Sequence, residues 1–189
     1  MKTPLDPRHL HRQKIVQALF ATSFHKQRVK DETLDKIKEN LEYLDKIISQ
    51  AAPDFPLDRI NPVDLAILRL ATFELTIPPY EPPKVVIDEG IELAKEFGGE
   101  SSPAFINGAL GKILFNKLRI LRIIADQLGV DVDKLTPEKE LMADLNATNL
   151  EITDLMLVLE KNLRIPIPAD TNFTKISDIL EFVEDHETI

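Results

Sequence analysis

The stretch from Asn61 to Leu75, NPVDLAILRLATFEL, restricts the possible folds more than any other part of the chain. Asn61 is placed to cap a helix, and Pro62 suits a first helical turn, where its missing N–H is no loss. Asp64 falls in that turn, where a negative charge meets the positive end of the helix dipole. Val63, Ala66, Ile67, Leu70 and Phe73 form one apolar stripe, and Leu65, Leu68 and Leu75 a second. A helix that is apolar on most of its circumference belongs in the middle of a core. Arg69 and Glu74, the full charges beyond the first turn, must then be paired or at the rim.

The flanking sequence supplies helices to cover it. Pro7 precedes a helix predicted over about Arg8–Phe24, with Ile15, Val16, Leu19 and Phe20 as its stripe. Arg8, His9, Arg12 and Lys14 crowd its first half, where cations oppose the dipole. Two readings stay open for them: a solvated basic face, or a phosphate-binding patch. A second helix is predicted over Thr33–Ala51, with Leu34, Ile37, Leu41, Leu44 and Ile48 as a narrow seam, ended by Pro53 and Pro56. Pro78-Pro79 and Pro82-Pro83 bracket an extended loop around Tyr80. A helix over Pro83–Phe97 follows, stopped by Gly98-Gly99. Ser102 then caps a helix beginning at Pro103, within which Gly108 is expected to permit close packing. Between Gly111 and Gly129 there is neither Gly nor Pro. The helix is therefore predicted to run on to Leu128, about 39 Å in all, coupling a second unit rigidly to the first. In that unit a loop over Leu135–Leu145 leads to a helix over Asn149–Leu163, with Leu150, Leu155, Val158, Leu159 and Leu163 available to a core. Pro166 and Pro168 break the chain before a last helix over Ile176–Asp185. The fold class is all-α.

Composition narrows the function classes. The 189 residues carry a net charge of −9, unevenly spread. Residues 1–30 hold seven Lys or Arg against one acid, Asp6, together with His9, His11 and His25. Residues 117–189 hold eight Lys or Arg against fifteen acids. A basic start and an acidic end imply surfaces with different partners. The absence of cysteine excludes disulfides, a thiol nucleophile and Cys-ligated metal. No apolar run reaches the ~20 residues of a membrane span, and no signal peptide is evident, so a cytoplasmic location is expected. His9 and His11 point to different sides of a helix, and the histidines lack a ligand partner at helical spacing, so no metal is expected. With no nucleophile elbow, P-loop or dinucleotide-binding glycine pattern, neither an enzyme nor a cofactor is expected.

Three segments, IVQALF (15–20), VDLAILRLATFEL (63–75) and KVVIDEGIELAKEFGGESSPAFINGALGKIL (84–114), together resemble the NusB family of transcription antitermination factors. The resemblance covers about residues 6–115 and implies a NusB-like RNA-binding helical domain over 1–115. It implies binding to boxA-type RNA together with the small-subunit ribosomal protein NusE. Arg8 and Arg12 match arginine positions of the family's RNA-contacting segment; His9 and Lys14 belong to the same run, and Lys84 is a further RNA candidate. Asp64 and Phe105 match NusE-contacting positions, and Ser101 stands where the family often has an acid.

Residues 117–187 resemble an acyl carrier protein through IADQLGVDVDKLT, LMADLNATNLEITDLMLVLEKNLRIPIP and KISDILEFVEDH. This implies a small four-helix acyl-carrier-like bundle over 116–189, joined to the first domain by the continuous helix. Carrier proteins bind phosphopantetheine through a serine hydroxyl. Here Asn149 occupies the serine position, and its amide cannot form that phosphodiester. Thr148 has a hydroxyl one residue away. The resemblance thus implies a carrier-like module without its arm, and its partner is unknown.

Two functions remain in view. One is an RNA-binding antitermination factor with an appended docking module. The other is a degenerate carrier-type interaction module of lipid synthesis, scaffolded by the helical half.

Overall fold

The computed structural model describes residues 6–22, 30–77 and 81–186, apart from the side chain of Glu184. The end of the first predicted helix at Phe24, His25, and the Pro78-Pro79-Tyr80 loop lie outside the described residues. The helices are α1 (Pro7–Thr22), α2 (Glu32–Glu39), α3 (Leu41–Ala51), α4 (Pro62–Thr76), α5 (Pro83–Phe97), α6 (Ser102–Leu128), α7 (Asn149–Leu163) and α8 (Ile176–His186). Extended pairing among the described residues is limited to a single bridge, Glu140 with Lys175. The chain forms two compact units, Met1–Leu114 and Phe115–Ile189.

In the first unit α4 is the buried axis, packed by α1, α3 and α5. Ala66, Ile67, Leu68, Leu70, Ala71, Thr72, Phe73 and Leu75 are all buried, so both of its apolar stripes are covered. The Asn61 side chain accepts from Val63 N–H at 2.9 Å, the expected cap. Arg69 is paired as expected: Nε and NH2 each lie 2.7 Å from a carboxylate oxygen of Asp45. Ile15, Val16 and Leu19 of α1, Leu93 of α5, and Ile106 and Leu110 of α6 complete this core.

The single helix predicted over Thr33–Ala51 is in fact two. Asn40 leaves helical geometry at φ −107° and ψ 13°, and its side chain donates to the Lys36 carbonyl at 2.8 Å. That amide satisfies the end of α2 locally, as a short polar side chain does when it competes with the helix ladder. Asp31 caps α2, accepting from Thr33 and Leu34 N–H.

Close packing falls on a different glycine from the one expected. Gly108 is exposed, and a Cβ there would meet nothing within 4 Å. At Gly90 a Cβ would lie 3.0 Å from Leu110 Cδ1, so it is α5 that approaches α6 through a bare backbone. Gly98 is tighter still: a Cβ would sit 2.5 Å from Ser102 Cβ.

Helix α6 is unbroken over its 27 residues, because no Gly or Pro interrupts the pattern after Gly111. In the second unit Ile120, Leu121 and Ile124 meet Leu155 and Leu159 of α7 and Ile176, Ile179, Leu180 and Val183 of α8. Among the described residues this unit has three α-helical segments and one short turn of 3-10 helix, Val132–Lys134. Residues 164–175, which contain Pro166 and Pro168, form no helix. Leu150 was expected in the core but is 70% exposed, since it lies on the outer face of α7.

Candidate functional site

The basic and histidine side chains of α1 separate onto two faces. Arg8, His11 and Lys14 are exposed at intervals of three, so they are neighbours along the outer surface. The Arg8 side chain is 72% exposed, its nearest carboxylate being Asp6 at 3.7 Å. His11 Nε2 lies 3.0 Å from Asp31 Oδ2 in an exposed contact. Asp31 is held below the usual aspartate value: burial works against this, but the His11 contact and the capping N–H groups outweigh it.

Arg12 and His9 face the other way, which corrects the expectation of an open basic patch containing all four. Arg12 is buried, with Nε 2.9 and 3.1 Å from the two Glu74 oxygens. Its NH2 stands 3.8 Å from Glu81 and its NH1 4.0 Å from Glu89. The reason is helical geometry: Arg12 lies on the stripe of Ile15, Val16 and Leu19, so a cation placed there enters the core and must be neutralised. Glu74 is raised above the usual glutamate value by its own burial, with Arg12 opposing that shift. His9 is wedged between Glu89 (Nδ1–Oε2 2.7 Å) and Glu96 (Nε2–Oε1 2.9 Å) of α5. Both ring nitrogens are thus engaged by carboxylates, Nδ1 at a part-buried contact and Nε2 at an exposed one.

Beside the open face lies a cleft of about 450 Å³, with Arg8, His11 and Lys36 at its wall and Leu70 and Phe73 behind. Lys36 is held by Glu32 at 2.7 Å. Lys84 is exposed in the first turn of α5, where a cation again opposes the dipole.

The three partner candidates also separate. Phe105 is half-buried and meets Phe55 edge-on, centroids 5.1 Å apart at 61°. Phe55 is 50% exposed, a surface aromatic that sequence reasoning passed over although its setting, PDFP, puts it on a proline-bounded loop. Ser101 is exposed, and its carbonyl accepts from Phe105 N–H at 3.1 Å. Asp64 is buried, not open to a partner. Its Oδ2 accepts from Ser102 Oγ at 2.9 Å, and Oδ1 has no partner among the described residues. Burial raises its pKa, with the Ser102 bond pulling weakly the other way. Ser102 was expected to cap α6. Instead its hydroxyl accepts from Gly99 N–H at 2.9 Å and donates to Asp64, tying the α5–α6 turn to the start of α4.

In the second unit Asn149 is exposed at the first position of α7. The Thr148 hydroxyl is committed to a capping box with Glu151, donating to its carboxylate at 2.8 Å and accepting from its N–H at 3.3 Å. Among the described residues no group of three or more His, Asp or Glu is placed to hold a metal, and no helix is long and apolar enough to cross a membrane.

Among the described residues the first unit is thus an all-helical bundle, with Arg8, His11 and Lys14 exposed along α1 and the half-exposed Phe55 set against Phe105. The sequence profile of the NusB family matches residues 11–115, more than half of the chain, and the chain belongs to that family. The transcription antitermination protein NusB of Lachnoclostridium phytofermentans is 49% identical over 80 residues, 42% of this chain and 61% of that protein. The NusB of Chloroflexus aggregans is 50% identical over 78 residues, 40% of this chain and 52% of that protein. The chain thus spans between half and two thirds of the length of these curated relatives. A solved structure of T. maritima NusB is similar with a TM-score of 0.52 and 36% identity, covering 60% of this chain and 92% of that one. The second unit lies beyond the matched profile except for its first residue, Phe115.

Proposed function

We propose that the first unit is a transcription antitermination factor that binds boxA-type RNA through the outer face of α1. The observation that carries this reading is the exposed Arg8–His11–Lys14 stripe on a chain of the NusB family. Lys84 is an additional phosphate contact. Such contacts position a nucleic acid without reading its bases, and they make affinity fall with salt. Arg12 and His9 serve this surface from behind, by holding α1 against α4 and α5. The partner in this reading is the ribosomal protein NusE, seated on Phe105, Phe55 and Ser101; Asp64 shapes that surface from beneath. A titration of boxA-like RNA over a salt series tests the proposal. Replacing Arg8 and Lys14 with alanine should flatten the slope by about one to two phosphate contacts. An unchanged slope would count against this face.

The second unit is proposed as a carrier-like docking module that carries no arm. The amide of Asn149 and the capping role of Thr148 support this, since neither offers a free hydroxyl at the start of α7. Incubation with a phosphopantetheinyl transferase should leave the mass unchanged; an added arm would favour the carrier-type alternative.

A further inference from the structure

The RNA reading leaves His9 without a contact of its own, yet few side chains in the unit are held so closely. Its Nδ1 lies 2.7 Å from Glu89 Oε2 and its Nε2 2.9 Å from Glu96 Oε1. A carboxylate oxygen only accepts, and a neutral imidazole has one N–H. A neutral ring would therefore aim a lone pair at a carboxylate on one side or the other. The imidazolium satisfies both. Gln13 has a second N–H that could reach a neutral Nε2, but Glu96 Oε1 at 2.9 Å would then still face the ring's lone pair. The Gln13 amide nitrogen is 3.2 Å from His9 Nε2 but 2.6 Å from Glu96 Oε2, so Glu96 receives Gln13 on one oxygen and His9 on the other.

The surrounding charges fit the same state. Glu89 is buried, and a buried carboxylate requires cationic partners. On α1 these are His9 and Arg12, whose NH1 stands 4.0 Å from the same Glu89 oxygen. Arg12 is itself occupied by Glu74 of α4 and approached by Glu81. On α5, Lys95 is paired with Glu92 at 2.8 Å, and His9 lies between Glu89 and Glu96.

We infer that His9 is a positioning residue, protonated between Glu89 and Glu96, which latches the first turns of α1 to α5 and so presents the Arg8–His11–Lys14 stripe. This rests on the RNA reading of that stripe. Burial by itself would lower the His9 pKa, but the bonds to Glu89 and Glu96 outweigh it and the value lies above that of an ordinary histidine. The latch is therefore closed below the ordinary histidine value and opens as pH rises through the raised one.

The test uses the full chain and two independent readouts. Without RNA, the His9 ring is titrated by NMR in the wild type and in Glu96→Gln. The wild-type ring should titrate above about 6.5, the unperturbed value, and the Glu96→Gln ring lower. With a boxA-like oligonucleotide at fixed salt, affinity is followed from acid to alkaline pH. It should weaken by roughly five-fold as the latch opens. His9→Gln should bind at the weakened level across the whole range, while His11→Gln should keep the pH dependence. A His9 ring titrating at or below the ordinary value would overturn the latch. So would a pH dependence that survives in His9→Gln and vanishes in His11→Gln. Absence of RNA binding by the wild type at every pH would sink the RNA reading and the positioning role with it. The ring titration, read without RNA, would still decide the latch.

Discussion

Arg12 on α1 and Glu74 on α4 form a largely buried ion pair at the edge of the first unit's core, Nε lying 2.9 Å from one carboxylate oxygen and 3.1 Å from the other. It joins residues 62 positions apart, and it fixes the helix that carries the proposed RNA-binding face to the buried axis. Removing one member leaves the other as a buried unpaired charge. Arg12→Ala should therefore destabilise the first unit by about 3–5 kcal/mol. Arg12→Met combined with Glu74→Leu should cost less than Arg12→Ala alone. Urea denaturation of the three variants checks the order.

Ser102 and Asp64 offer a second test. Asp64 keeps one hydrogen bond, from Ser102, and its other oxygen is bare among the described residues. Ser102→Ala should strip that bond, cost about 1–3 kcal/mol and push the Asp64 pKa further up. The sign for pH follows from the raised value. A carboxyl that holds its proton more tightly folded than unfolded adds stability below its unfolded value, and this is lost as pH rises through the folded one. Asp64→Asn should remove that component of the pH dependence. Thermal melts from acid to neutral pH would show it as a flatter profile.

Two glycines should respond with opposite signs to the same substitution. Gly98→Ala places a Cβ 2.5 Å from Ser102 Cβ and 2.7 Å from the Ala94 carbonyl. The turn must shift, at a cost of about 1–3 kcal/mol. Gly108→Ala meets open space inside a helix and should stabilise by about 0.5–1 kcal/mol. Calorimetry of the two single variants distinguishes them directly.

Phe55 and Phe105 should separate binding from folding. Phe55 is half in solvent, so Phe55→Ala should change stability by less than about 1 kcal/mol. If the proposed surface receives NusE, an aromatic within it carries a large share of binding energy, and affinity for NusE should fall about ten-fold or more. Isothermal titration of the ribosomal protein into wild type and Phe55→Ala gives the comparison. Equal affinities would remove Phe55 from the proposed surface.

Much of the helical framework was legible in advance, for a definable reason. The caps and stops are local chemistry: Asn61 with Pro62 begins α4, Pro83 begins α5, and a run without Gly or Pro carries α6 through to Leu128. Asn40 shows where local reading failed. The apolar seam continues across it from Ile37 to Leu44, so periodicity sees one helix, while the Asn40 side-chain amide closes α2 and its non-helical backbone separates α2 from α3. Leu150 failed differently, since an apolar residue at a helix start can face either way.

The candidate site was legible as residue types and not as an arrangement. The sequence by itself determined that five basic or titratable side chains, Arg8, His9, His11, Arg12 and Lys14, crowd the start of α1, that α4 is buried, and that the matched part of the chain is of the NusB type. Spacing of three along α1 marks the outer stripe only once the inner stripe is known. Tertiary structure alone decided which cations meet solvent and which meet Glu74, Glu89 and Glu96, because those carboxylates come from helices more than sixty residues downstream. A charge is open or neutralised according to what packs against it, and that packing is set by distant parts of the chain.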